Sequence, residues 1–176
     1  VQLLRQRLVS QLEDDGHPAD LVQAVAGDEV SDEQLLSDPL DARERIQLLT
    51  SLRDQQRLAA VQAVVQRASR LAEKGELDRS CLDPGAVIDA TRFESSSEAA
   101  MLIVIERLHP LAAGRNYTAL ADALVEATPA LEAFFDGDDS VMVMADDPAL
   151  RTNRLNLLSV LRNQASQLAR FELIQS

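Results

Sequence analysis

Four prolines of the chain directly follow an Asp or a Thr, and these pairs divide the sequence into helical segments. They are Asp38-Pro39, Asp83-Pro84, Thr128-Pro129 and Asp147-Pro148. An N-cap side chain accepts hydrogen bonds from the free N–H groups of the first helical turn. Proline suits the next position, where its missing N–H has no helical partner. The four pairs therefore predict four helix starts.

Other local signals also favour an all-α fold. Ser31-x-x-Gln34 and Ser95-x-x-Glu98 have the form of capping boxes, and Gly75, Gly114 and Gly137 lie where helices should end. Aromatic residues make up only 3% of the chain, which disfavours a sheet. The predicted helices cover 1–13, 18–26, 31–36, 39–54, 55–74, 84–90, 96–113, 117–127, 129–136 and 148–171. Whether 39–54 and 55–74 form one helix or two stays open.

The domain organisation follows from a stretch rich in Gly, Pro and Ser at residues 75–92, which we interpret as a hinge. We expect an N-terminal helical segment at 1–80 and a C-terminal helical bundle at 81–176. Because the chain opens on Val1 within a helical pattern, we interpret it as a fragment of a longer protein. A single cysteine, Cys81, and the lack of any apolar stretch of about 20 residues predict a cytoplasmic protein without a membrane span.

The net charge of −12 disfavours a nucleic-acid binder by bulk charge, but the charges are unevenly distributed. No Lys or Arg lies between Arg7 and Arg43, whereas residues 151–170 contain four Arg and no acidic residue. Motifs of phosphate-binding loops and of serine hydrolases are absent from the sequence, and the acidic cluster at 136–147 lacks the spacing of a calcium loop. We predict no catalytic residue and no metal ligand.

Two groups of basic residues are candidate RNA contacts. In the predicted helix 55–74, Arg67, Arg70 and Lys74 recur at helical spacing on the face opposite the apolar residues. They form a cationic ridge, which suits a phosphate backbone, although an ordinary solvated helix face would show the same pattern.

The last predicted helix carries the second group. Arg151 and Arg162 fall together at the edge of its apolar arc, so we expect both side chains to reach one partner. Arg154 falls inside the arc and must be paired if it is buried. We interpret it as a structural clamp, with Asp136 or Asp146 as its carboxylate.

The apolar run Val141-Met142-Val143-Met144 stands between two acidic clusters. It falls between two predicted helices, so we interpret residues 134–147 as a corner. The candidate apolar plugs of this corner are Phe134, Phe135, Met142 and Met144.

The corner and the helix after it resemble one protein family. Phe134-Phe135-Asp136, then residues 141–147 (Val-Met-Val-Met-Ala-Asp-Asp), then residues 151–158 (Arg-Thr-Asn-Arg-Leu-Asn-Leu-Leu) are similar to the C-terminal end of the β subunit of bacterial glycyl-tRNA synthetase. Weaker similarity covers the rest of the chain, as in residues 3–8, 19–25, 38–43 and 117–124. A long ordered run of unlike residues makes this resemblance specific.

The resemblance implies a helical anticodon-binding domain, of the kind also found in arginyl-tRNA synthetases, with an additional N-terminal helical segment. It implies an α2β2 ligase that joins glycine to its tRNA with ATP and magnesium, in which the α subunit forms the adenylate. Glycine tRNA and the α subunit are then the expected partners, without DNA or membrane, and the fragment itself needs no cofactor.

Three departures from the family pattern stand out. Residues 138–140 (Asp-Asp-Ser) are inserted in the corner and add two negative charges. Residues 163–166 (Asn-Gln-Ala-Ser) replace bulky apolar residues, so we expect looser packing there. The helix 55–74 keeps a basic segment but not the family's form of it.

Two functions remain open from the sequence. The first is recognition of a tRNA anticodon stem-loop within a ligase, with Arg side chains on phosphates and polar side chains on unstacked bases. The alternative is a helical protein-interaction module without an RNA role, whose acidic residues 13–41 bind a basic partner protein.

Overall fold

Residues 1–37 and 39–176 are described by a computed structural model, and within them the chain forms eight α-helices and no strand. The helices are α1 (Gln2–Asp14), α2 (Ala19–Ala26), α3 (Asp32–Ser37), α4 (Pro39–Asp54), α5 (Leu58–Ala72), α6 (Ser96–Ala113), α7 (Tyr117–Phe135) and α8 (Pro148–Ser166). Short 3-10 turns lie at Pro84–Ala86, Ala90–Arg92 and Phe171–Leu173. The predicted all-α fold is confirmed. None of these helices is both long and apolar enough to cross a membrane.

Two predicted helix starts are confirmed by their cap geometry. Asp147 accepts from the backbone N–H of Ala149 at 2.9 Å and begins α8. Ser95 and Glu98 form the predicted capping box of α6. The cap predicted at Asp38 lies outside the described residues.

The predicted helix start at Thr128-Pro129 is wrong, because both residues lie inside α7. The Thr128 hydroxyl donates to the Leu124 carbonyl at 3.1 Å instead of capping a new helix. Leu131 and Phe134 continue the buried face of α7 beyond the proline. Their burial offsets the hydrogen bond that the proline removes.

Of the predicted helix 84–90, the start is confirmed but the length is wrong: Asp83 caps a 3-10 turn that begins at Pro84, and a second 3-10 turn follows at Ala90–Arg92. Asp83 and Asp89 each accept from the N–H two residues ahead, at 2.8 Å and 3.0 Å. Such local bonds of Asp, together with Gly85 inside the segment, favour turns over a continuous helix.

Residues 39–54 and 55–74 form two helices, which settles the question that the sequence left open. Gln56 ends α4 in the left-handed region with φ of 59°. The Arg57 N–H donates to the Leu52 carbonyl at 2.8 Å and the Gln56 N–H to the Arg53 carbonyl at 3.0 Å. This pair of bonds is a Schellman ending made without glycine.

Helix α8 lies at the centre of the fold, between α5 and α6, and α7 packs against both of these neighbours. The hydrophobic core is continuous and includes residues on both sides of residue 80. Helices α1 to α4 cover one end of this bundle, where α2 packs on α1, α4 and the Phe171–Leu173 turn.

The polar residues of α8 hold the irregular segment that connects α5 to α6. Asn153 donates to the Asp89 carbonyl at 2.9 Å, and Asn163 donates to the Asp78 and Cys81 carbonyls at 2.8 and 2.9 Å. Residues 163 to 165, for which looser packing was expected, are almost fully buried. Amides occur there because a segment without regular structure needs partners for its backbone.

Candidate RNA interface and the loop beside it

Arg67, Arg70 and Lys74 are exposed along one side of α5 and its C-terminal end. The opposite side of the helix carries its buried apolar residues, among them Val61, Val65 and Ala68, and packs on α7 and α8. We call Arg67, Arg70 and Lys74 the α5 ridge. Its spacing of three and then four residues follows from the period of the helix.

Arg67 is the anchored member of the α5 ridge. Its Nη1 donates to Asp136 Oδ2 at 2.8 Å, and its guanidinium lies over the Phe135 ring at 4.5 Å. Phe135 in turn meets the edge of Phe134, with ring centroids 5.4 Å apart. Arg67 therefore presents a supported flat cation at the edge of a groove of about 480 Å³ between α5 and α7.

The side chains of Arg70 and Lys74 form neither a hydrogen bond nor an ion pair with any residue that the structure describes. Their charges are therefore free to meet an external anion. The ridge thus combines one stacked guanidinium with two uncompensated cations.

Arg154 joins three parts of the chain, but not through the predicted carboxylates. Its Nε donates to Glu98 at 2.7 Å, its Nη2 to Glu94 at 3.2 Å and its Nη1 to the Met142 carbonyl at 2.8 Å. The pairing with Asp136 or Asp146 is wrong, because α8 turns Arg154 toward the start of α6. Asp136 pairs with Arg67 instead, and Asp146 is exposed.

Only some of the apolar residues that were predicted to fill the corner between α7 and α8 are buried there. Phe134 is buried, whereas Met142 is 74% exposed and Met144 41% exposed. Val143 and Ala145 are buried in their place. The backbone on either side of a turn at residues 143–144 is fixed by Arg154, which donates to the Met142 carbonyl, and by Arg151, which donates to the Ala145 carbonyl. This turn leaves Met142 and Met144 outside and Val143 and Ala145 inside.

Replacing Met142 and Met144 together by Ser is expected to change the free energy of unfolding by less than about 0.5 kcal/mol, because both side chains are exposed and lie outside the hydrophobic core. The matched control Val143→Ala removes buried methyl groups and is expected to cost about 1 kcal/mol. Urea denaturation measures both values. A larger loss in the Met variant than in Val143→Ala would contradict the exposed position of the methionines.

Arg151 and Arg162 share no partner among the described residues, and the expectation that both lie at one accessible edge of α8 is wrong for Arg162. Arg151 is half-buried and donates to the Ala145 carbonyl at 3.0 Å. Arg162 is 4% exposed, because neighbouring elements bury α8 on nearly all sides along residues 153–165.

Three of the five acidic residues of the corner have structural partners. Asp136 pairs with Arg67, Asp139 accepts from the Ser96 hydroxyl at 2.7 Å, and Asp147 caps α8. Within the described part of the chain, no three His, Cys, Asp or Glu side chains are arranged to hold a metal ion.

Several acidic residues of the segment 13–41 are also neutralised within the molecule. Asp15 pairs with Arg43 at 2.6 Å. Asp20 pairs with Arg53 at 2.6 Å, and the hydrogen bond from Arg53 lowers the pKa of Asp20 below its ordinary value. Asp32 pairs with the buried Arg5. Less of this charge is available to a basic partner protein than the sequence indicates.

Two features of this surface were not predicted from the sequence, namely the aromatic support of Arg67 and the position of Arg79. Phe135 precedes Asp136 in the sequence, but nothing in the sequence indicates that its ring would lie under the guanidinium of Arg67 in α5. Arg79 is exposed in the irregular segment after α5 and lines a cavity of about 760 Å³. The only signal for Arg79 in the sequence is its positive charge within an otherwise acidic segment.

Comparison with known proteins gives a consistent set of relatives, although no protein-family model matches the chain. It is 44% identical to the glycine–tRNA ligase beta subunit of Picosynechococcus sp. and 46% identical to that of Gloeothece citriformis, over 94% of this chain and 24% of each relative. It is 42% identical to the beta subunit of Acaryochloris marina over 97% of this chain and 25% of the relative. The chain thus spans about a quarter of the length of these relatives.

Proposed function

The chain is homologous to about a quarter of the glycine–tRNA ligase beta subunit, and from that premise we propose that it binds tRNA for such a ligase. In this proposal it binds the anticodon stem-loop as an anticodon-binding domain. It positions the tRNA and takes no part in the ligation reaction. It would act in the cytoplasm, in an assembly with the ligase's alpha subunit. ATP, magnesium and glycine would be used elsewhere in that assembly.

The observation that carries the proposal is the α5 ridge. A protein with a net charge of −12 repels RNA over most of its surface, so a local group of free cations sets where a phosphate backbone can approach. Arg70 and Lys74 are such cations. Neighbouring phosphates of one strand fit side chains that are one helical turn apart.

Arg67 adds a contact of a different kind. Unpaired bases of RNA loops stack on aromatic rings and on guanidinium planes. The guanidinium of Arg67 is held flat by Phe135 on one side and by Asp136 at its edge. Its outer face suits the stacking of a base next to phosphates bound by Arg70 and Lys74.

A titration with a glycine tRNA transcript tests the proposal. The control is the same transcript with a substituted anticodon, and both are measured at two salt concentrations. We expect tighter binding of the glycine transcript and a loss of affinity with salt. Equal affinity for the two transcripts would contradict anticodon recognition, and no binding at low salt would favour the protein-interaction function.

Replacing Arg70 and Lys74 together by Ala is expected to weaken tRNA binding about tenfold. It should also reduce the slope of log affinity against log salt by about 2, because two phosphate contacts are lost. The same titration measures both quantities.

The matched control for that variant replaces Arg7 and Arg92 by Ala. Both are exposed, and neither contributes to the α5 ridge. The control changes the net charge equally, so a similar loss in the two variants would show that only bulk charge matters.

A further inference from the structure

Two of the three methionines of the chain lie on the outside of the turn between α7 and α8. Met142 is 74% exposed and Met144 is 41% exposed, whereas the third methionine, Met101, is buried in α6. A single exposed apolar side chain is ordinary on a protein surface. Two large ones on one turn form a protruding apolar surface, and we call Met142 and Met144 the methionine pair.

The backbone that carries the methionine pair is held by hydrogen bonds on both sides. The hydroxyls of Ser95 and Ser97, at the start of α6, each donate to the Asp139 carbonyl at 2.6 Å. The buried guanidinium of Arg154 donates to the Met142 carbonyl at 2.8 Å. Because the backbone is already ordered, a partner that covers the methionine pair loses little affinity to the ordering of this segment.

The surroundings of the methionine pair are negatively charged. Asp138 and Asp146, on either side of the pair in the sequence, are exposed, and neither carboxylate forms a hydrogen bond or an ion pair with a described residue. No Lys or Arg occurs in residues 134–150. Arg151 and Arg154, the cations that follow, donate to backbone carbonyls of the turn. This charge repels the phosphates of RNA and of an anionic membrane surface, and it favours a basic protein partner.

We propose that the methionine pair binds an amphipathic helix of a partner protein. The apolar face of that helix covers the two thioether side chains, and its flanks carry Lys and Arg residues that meet Asp138 and Asp146. Methionine suits such a surface because its unbranched, flexible side chain adapts to different apolar faces. The surface goes beyond the proposed tRNA function, and it shares no residue with the α5 ridge.

The probe is a synthetic amphipathic peptide of Leu and Lys with a fluorescent label, and its binding to the whole chain is followed by fluorescence anisotropy. Replacing Met142 and Met144 together by Ser is expected to weaken binding about tenfold. Both side chains lie outside the hydrophobic core, so this variant should fold. Equal affinity of this variant and wild type for the peptide would overturn the proposal.

The matched control replaces Leu3 and Leu4 together by Ser. These residues of α1 are 61% and 56% exposed and also form an adjacent apolar pair, but α1 has no acidic residue in its first turn. The control should bind the peptide as tightly as wild type does. An equal loss in the control and in the methionine variant would contradict a specific surface, because it would show that any exposed apolar pair binds the peptide.

The contribution of charge is tested by Asp138→Asn with Asp146→Asn, which keeps the shape of both side chains. Binding of the peptide should weaken, and its dependence on salt should become less steep, because two carboxylates no longer attract the Lys residues. A salt dependence as steep as that of wild type would contradict the choice of a basic partner.

A short single-stranded RNA tests the other class of partner in the same assay. We expect wild type and the methionine variant to bind it equally. Weaker RNA binding by the methionine variant would contradict the proposal and assign the methionine pair to an RNA surface. Arg70→Ala with Lys74→Ala should bind the peptide no more weakly than wild type. Failure of the α5 ridge as an RNA surface would therefore leave the peptide result unchanged.

Discussion

Replacing Arg154 by Ala is expected to lower the free energy of unfolding by about 3–5 kcal/mol, because it leaves a buried carboxylate without its cation. Glu98 is 0% exposed, and its other bonds run to the backbone N–H groups of Glu94 and Ser95. The same change frees the Met142 carbonyl and so loosens the corner. Urea denaturation measures the loss.

Arg107→Ala is the matched control. Arg107 pairs with Glu126 at 2.8 Å, but both side chains are about 60% exposed, so the loss should stay below about 1 kcal/mol. A second comparison replaces Arg154 by Met and Glu98 by Leu together, which should recover much of the stability because no buried charge remains. Equal losses in Arg154→Ala and Arg107→Ala would show that the buried pair is not what joins α6, α8 and the corner.

Replacing Arg5 by Ala is expected to cost about 3 kcal/mol, because one buried guanidinium serves several carbonyl groups. Arg5 donates to the carbonyls of Ala26, Gly27 and Val30 and pairs with Asp32 at 2.6 Å. It thereby ties α1 to the end of α2 and to the start of α3. Hydrogen exchange should show faster opening of residues 26–32 in addition to the lower global stability.

Arg7→Ala changes the same helix two residues further on and serves as the control. The side chain of Arg7 is exposed and forms no hydrogen bond or ion pair with a described residue, so stability should change by less than about 0.5 kcal/mol. If exchange at residues 26–32 is as slow in Arg5→Ala as in Arg7→Ala, the segment is held by packing alone.

Local signals in the sequence predicted those parts of the fold that local interactions decide. The bonds of Ser95 with Glu98 and of Asp147 with Ala149 span only a few residues, so their pattern is visible in the sequence. Thr128-Pro129 has the same local form, but the buried face of α7 continues past it. Gln56 ends α4 with a positive φ that no residue preference predicts.

The candidate site was predictable as a set of residues on one face but not in its contacts. Helical periodicity places Arg67, Arg70 and Lys74 together because α5 has a single buried side. The same reasoning failed for Arg162 in α8, since periodicity assumes one buried face and α8 is covered by neighbours on nearly all sides. The partner of Arg154 lies 56 residues away, a separation at which the sequence gives no pairing signal.

Amine labelling tests the central claim most directly, because Lys74 is the only lysine of the chain. The rate at which an amine-reactive ester modifies Lys74 is compared by mass spectrometry with and without glycine tRNA. The exposed α-amino group of Val1 serves as the internal reference. If the α5 ridge binds the tRNA backbone, tRNA slows the labelling of Lys74 and leaves Val1 unchanged. Equal labelling of Lys74 at a tRNA concentration that saturates binding would contradict the ridge as the RNA surface.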